Sequence, residues 1–257
     1  MYSFIHKINN KWNNTNVSSV NSYNNYQFEN RKFTELNYDN NNFIVYSDEG
    51  VKNHKITIGF KENVVCLVFL LDIINKEAHL QLLDKFRKCK KNNQYPTSDD
   101  IKSMVKFCIN FAKNKKMKSI TLEDRASLIC EKNGNRYSSC LSDYYFLKKY
   151  NSYYGFHFRF VLENLIERNI FSQDKNKLEK LKIKDIHWNN IFDKIKNDEE
   201  CEKWYYFFSK INKNLLLKQL FIKMGNNFCS LINPLIIYLL KELNISTLKG
   251  KLFIKYL

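Results

Sequence analysis

The stretch VVCLVFLLDII, residues 64–74, constrains the fold of this chain more than any other. It is a continuous apolar run of strand length, the pattern of a central strand buried on both faces. Strand patterns surround it. FIVYS (43–47) and KITIGF (55–60) are separated by the turn-forming DEGVKNH, and AHLQLLDKF (78–86) reads as a strand or a short helix, with the strand favoured. In TSDDIKSMVKFCINFAKNKKM, Thr97 and Ser98 are cap candidates, and Asp99 and Asp100 suit a first helical turn. Ile101, Val105, Cys108, Ile109 and Ala112 recur at helical spacing, which predicts an amphipathic helix over 98–114. KSITLE (118–123) then reads as a strand, and KNGNR as a loop leading to a helix near 140–150. FHFRFVL (156–162) alternates like a strand.

Helical periodicity dominates after about residue 170, through KLEKLKIKDIHWNNIFDKI, ECEKWYYFFSKINKNLLLKQLFIKM and PLIIYLLKELN. The expected organisation is a polar, Asn/Ser-rich arm over 1–30, an α/β domain over 31–170 and an all-helical region over 171–257. At 257 residues and 44 % hydrophobic, the chain has ample material for a buried core.

The formal charge of +16 attracts polyanions, whether nucleic acid, an anionic surface or a phosphorylated cofactor. Six glycines and two prolines beside abundant Asn, Lys and Ile also fit the bias of an AT-rich genome. The seven cysteines form no CxxC and do not flank histidines at ligand spacing, so reduced thiols in a soluble cytoplasmic protein are expected and a metal site is not. MYSFIHKINN lacks the apolar stretch of a signal peptide, and no run approaches the roughly 18–20 apolar residues of a membrane span. Absence of P-loop, GxGxxG, HExxH and GxSxG patterns lowers the odds of nucleotide hydrolysis, zinc proteolysis and serine hydrolysis.

Nine aromatic residues crowd LSDYYFLKKYNSYYGFHFRF, 141–160. For Tyr150, Tyr153 and Tyr154 three readings stay open: core packing, which leads, a catalytic phenol, and a stacking surface for bases. KFRKCKK (85–91) is a solvated loop, or a contact for a nucleotide diphosphate or a nucleic-acid backbone. LED at 122–124 reads first as a solvated strand end. His54 and His79 read as structural or exposed, and WYYFF (204–208) as a core or interface stripe.

Strand, basic loop, helix, strand, short helix and a tyrosine-rich step into another strand, over 64–160, resembles the central half of the GNAT family of N-acetyltransferases. More narrowly, KSITLEDRA (118–126) and LSDYYFLKKYNSYYGF (141–156) are similar to acetyltransferase-like proteins of large DNA viruses. The resemblance implies a GNAT-like mixed sheet flanked by helices, acetyl-CoA as cofactor and an amine acceptor. It implies a splayed strand at Val64–Asp72, with Leu70 and Leu71 along the pantetheine arm. The pyrophosphate would lie between Arg87 and Asp99, near Arg87, Lys88, Lys90, Lys91 and Ser98. Tyr154 would be the general acid, with Tyr153 or Tyr150 as lesser choices, and Asp72, Glu123 or Asp124 the base.

The sequence departs from the family where phosphate is bound. Residues 87–99 contain no glycine, and glycines let backbone amides approach an anion without a Cβ in the way. Asp99 and Asp100 would repel it, with Lys85, Lys88, Lys90 and Lys91 compensating in part. Two functions follow: a divergent N-acyltransferase, or a basic binding or structural protein, nucleic-acid-binding or virion-associated, on a degenerate acetyltransferase scaffold.

Overall fold

The computed structural model describes residues 3–5, 32–38, 41–61, 64–82, 89, 97–124, 127–225 and 227–257. They form an α/β protein with a mixed sheet and, among the described residues, eight α-helices. Two compact units divide the chain. A meander unit comprises His6–Leu122 with Tyr256–Leu257, and a helical unit comprises Met1–Ile5 with Glu123–Lys255.

In chain order, β1 (Ser3–Ile5) belongs to the helical unit, and the meander unit begins at β2 (Lys32–Tyr38). It continues through β3 (Asn41–Glu49), β4 (Asn53–Gly59), β5 (Leu67–Asp72) and β6 (Glu77–Leu82), each antiparallel to the one before. Leu67, Val68, Phe69 and Leu71 are buried, so successive residues of β5 bury both faces as its unbroken apolar run requires. Gly59 permits the β4–β5 turn, because a Cβ there would stand 1.7 Å from the Val64 carbonyl oxygen.

The chain then crosses through α1 (Ser98–Asn114) to β7 (Ser119–Glu123), which runs parallel to β6. Met104, Val105, Cys108 and Ala112 turn the apolar side of α1 inward, and the helix bounds are those read from periodicity. Of the expected strand at 78–86, residues 78–82 lie in β6 and the rest fall outside the described residues.

The helical unit opens with a hairpin, β8 (Ser127–Lys132) and β9 (Asn135–Cys140), with β1 antiparallel on the outer edge of β8. The KNGNR segment is therefore the turn of this hairpin and not a plain loop. Asn133 and Gly134 both adopt positive φ, 51° and 78°, the pairing that a two-residue turn matched to strand twist demands. Next come α2 (Leu141–Lys149), α3 (Tyr153–Phe158) and the short strand β10 (Val161–Leu162).

FHFRFVL is thus a helix followed by two strand residues, which corrects the expected strand. Ser152 starts α3 by accepting a hydrogen bond from the Gly155 amide (2.9 Å), and Arg159, at φ 61°, ends it. Local capping outweighs the alternating pattern.

Five more helices follow: α4 (Leu165–Lys180), α5 (Trp188–Ile195), α6 (Cys201–Ser209), α7 (Leu217–Met224) and α8 (Ile232–Glu242), with a 3₁₀ turn at Ile183–Asp185. Trp204, Leu217, Leu220, Phe221, Leu235 and Leu239 fill the core between them. WYYFF splits: Trp204 and Phe208 are buried, while Tyr206 faces solvent. The region is not all helical, since the chain returns in β11 (Leu252–Tyr256), antiparallel to β10.

The expectation of reduced thiols is also corrected. Cys66 bonds to Cys89 in the meander unit and Cys130 to Cys229 in the helical unit, while Cys108, Cys140 and Cys201 stay free. Separations of 23 and 99 residues hide such pairs from spacing rules. Among the described residues no helix is long and apolar enough to cross a membrane. Apart from β1, the expected N-terminal arm lies outside the described residues.

Candidate functional site: a strand fork and a buried acidic cluster

Within the meander unit, β6 and β7 pair over only three positions: Glu77 with Ser119, Ala78 with Ile120 and His79 with Thr121. Beyond them β6 continues to Leu82, held by β5 on its other side, while the ladder to β7 has ended. His79 closes the last rung, its Nδ1 sharing a 3.0 Å hydrogen bond with Thr121 Oγ1, and that hydroxyl donates to the Ala78 carbonyl (3.4 Å). Gln81 follows two residues later on the same face of β6, buried like His79. Burial holds the His79 imidazole down at a pKa of about 4, so the ring is neutral near pH 7.

This placement moves the expected splay by one strand. Leu70 pairs with Lys55 and His79, and Leu71 with His54 and Ala78, so the β5 backbone is engaged on both sides and cannot offer itself to a cofactor arm. The strand that parts from its neighbour is β6, because it precedes the parallel crossover while β5 lies inside an antiparallel meander.

At the start of α1, Thr97 and Asp100 form a reciprocal cap. The Asp100 amide donates to Thr97 Oγ1 (3.2 Å), while Thr97 N and Oγ1 both donate to Asp100 Oδ2 (2.8 Å each). Asp99 is exposed and pairs with Lys102 (3.0 Å). The Asp100 amide is therefore taken by the Thr97 hydroxyl, and two carboxylates stand on the first turn. Cys89 is fixed beside the start of β5 by its bond to Cys66, with Cα atoms 5.1 Å apart. Arg87, Lys88, Lys90 and Lys91 lie outside the described residues, as does the side chain of Ser98, whose backbone opens α1.

In the helical unit the tyrosine-rich step gathers a second polar group. Tyr154 is 1 % exposed, against Phe158, Phe160 and Phe253. Burial, then the Asp124 charge, then Tyr153 and Cys140 push its phenol well above the ordinary range. Burial also raises the Cys140 thiol, with Asp124 and Asp143 adding to it. Asp143 is anchored: its Oδ1 accepts from the Leu248 amide and its Oδ2 from Thr247 Oγ1, both at 2.6 Å. Burial lifts the Asp143 carboxyl against those hydrogen bonds. The backbone of Asp124 accepts from Gly250 N (2.6 Å) and donates to Lys251 O (2.8 Å). The group keeps a proton on a phenol but encloses that phenol completely.

Of the expected bases, Asp124 lies beside Tyr154 and is wholly buried. Glu123 ends β7, half-buried. Asp72 belongs to the meander unit and organises the β5–β6 turn, accepting from the Ile74 and Asn75 amides (3.0 Å each) and Asn75 Nδ2 (2.7 Å). Tyr153 is buried beside Tyr154, and Tyr150 is buried in a left-handed conformation at the end of α2. Sequence reasoning singled out neither Asp143 nor Thr121, and it set His79 aside. The period of AHLQL, with His79 and Gln81 two apart, was the available signal. No family model, no curated protein and no solved structure matches the chain.

Proposed function

We propose that this chain is a non-catalytic binding protein on a divergent acetyltransferase-like scaffold, with a polyanion such as nucleic acid as the partner. An antiparallel meander, a crossover through α1 to a parallel strand and a fork at that strand support the GNAT-like ancestry. The observation that carries the loss of chemistry is the Thr97–Asp100 cap.

A pyrophosphate seated on a helix start needs open amides, and the dipole there offers about 0.3–2 kcal/mol. Here Asp100 is locked onto Thr97, and Asp99 stands on the same turn. One carboxylate about 4 Å from an anion costs about 1 kcal/mol in bulk water and about 4 kcal/mol at an effective dielectric near 20. That repulsion matches or exceeds what the dipole offers, and the Lys102 ammonium beside Asp99 offsets part of it. The enclosed Tyr154 agrees, because a general acid must reach its leaving group. The charge of +16 supplies the attraction to a polyanion.

Thermal unfolding with and without millimolar acetyl-CoA, with CoA and ADP as controls, tests this reading. The melting temperature is expected to stay put. A ligand at a hundred times its Kd adds about 2.7 kcal/mol, so a rise of several degrees specific to acetyl-CoA would overturn the proposal. Retention of single-stranded nucleic acid that weakens steeply with salt is the positive arm.

The Tyr154 phenol, kept protonated beside Asp124, favours a second reading, an active acetyl-CoA-dependent N-acyltransferase acting on an amine, with Tyr154 as acid and Asp124 or Glu123 as base. Loss of turnover in Tyr154→Phe, with cofactor binding kept, would support it.

A further inference from the structure

Helix α4 has two apolar sides. Phe171 and Leu178 face the core: Phe171 stacks on buried Phe146 with ring centroids 4.6 Å apart, and Leu178 is fully enclosed. The first turn presents Leu165 and Ile166 outward, 68 % and 70 % exposed, and Ile170 follows Ile166 one turn later. Val161 on β10 and Phe156 on α3 are exposed as well. Isolated exposed apolar side chains are ordinary, whereas these five large ones fall within one short stretch of chain, residues 156–170.

Cations border these residues. The Lys149 ammonium lies 5.6 Å above the Phe156 ring, and Arg159 is exposed at the end of α3. Arg168 donates to the Leu162 and Glu163 carbonyls, which holds its guanidinium at the β10–α4 junction. Of the two acids in this stretch, Glu167 is paired with Lys251 (2.5 Å). A second copy of the chain would bring the same cations and another +16 to the contact. An anionic bilayer offers hydrocarbon for the aliphatic side chains and negative headgroups for the rim.

We propose that α3, β10 and the first turn of α4 dock onto an anionic membrane surface, with Leu165 and Ile166 entering the acyl boundary and Lys149, Arg159 and Arg168 on the headgroups. This rests on the exposed side chains alone and is independent of the fate of acetyl-CoA binding.

The test is flotation of the full chain with vesicles of phosphatidylcholine, with and without phosphatidylserine. Binding is expected to the anionic vesicles, about fivefold tighter for each engaged cation. General attraction of a basic protein would give that much, so the decisive variant is Leu165→Ser with Ile166→Ser. It is expected to lower vesicle binding by about tenfold or more while leaving the melting temperature unchanged. Lys149→Glu with Arg159→Glu should remove the preference for phosphatidylserine. No flotation at low salt, or flotation unchanged in the double serine variant, overturns the proposal. Self-association that the double serine variant abolishes, without vesicle binding, assigns the surface to a second copy instead.

Discussion

At the scale of single residues, His79 shows how position decides chemistry. Its imidazole is only 7 % exposed, and burial lowers its pKa from 6.5 to about 4. The folded state binds the proton less tightly than the unfolded chain, so His79 contributes stability above pH 6.5. That stability is lost as the pH falls toward about 4, and the loss amounts to about 3 kcal/mol at most. Asp143 works the other way. Its raised pKa means that its contribution is complete below the ordinary carboxylate value and is lost as the pH rises through the folded pKa. Urea titrations from pH 7 to pH 4 should therefore show a decline that His79→Gln flattens; an unchanged slope in that variant would show that His79 is not the group responsible. Legibility was partial here. The sequence marked Tyr154 as unusual through its aromatic neighbours, but enclosure of the phenol depends on Phe253, nearly a hundred positions away.

At the scale of elements, caps and turns rank above pattern. Thr97 closes the first turn of α1 through Asp100, so Thr97→Ala should cost about 1 kcal/mol by chemical denaturation. In the β8–β9 turn, Gly134 sits at φ 78° with no atom within 4 Å of where a Cβ would stand. Gly134→Ala should thus cost about 1 kcal/mol or more from backbone conformation alone, without any steric contact. If that variant is as stable as the parent, the left-handed turn is not the native one. The α1 bounds were legible because caps, charges and period agreed. The β8–β9 hairpin was not, because SLICEK and NRYSSC carry weak alternation and only the Asn-Gly pair announces the turn.

At the scale of the whole molecule, two covalent bonds cross long stretches of chain. Closing 23 residues removes about 3 kcal/mol of unfolded-state freedom, and closing 99 removes nearly 5, as upper values. Reduction should lower the melting temperature, and Cys130→Ser with Cys229→Ser should lower it more than Cys66→Ser with Cys89→Ser. Peptide mapping without reductant checks the pairing directly: linked fragments holding Cys66 with Cys89 and Cys130 with Cys229 are expected.

By itself the sequence determined the buried strand at 67–72, the capped helix that follows the meander, and the positive charge, because each rests on neighbours within a few residues. It also carried the missing glycines and the two carboxylates that weigh against a phosphate at α1. Only the tertiary structure decided which strand parts from its neighbour, which cysteines join, and which tyrosines lose contact with water. Those outcomes depend on pairings across tens of residues, where many partners are chemically equivalent and packing alone selects among them.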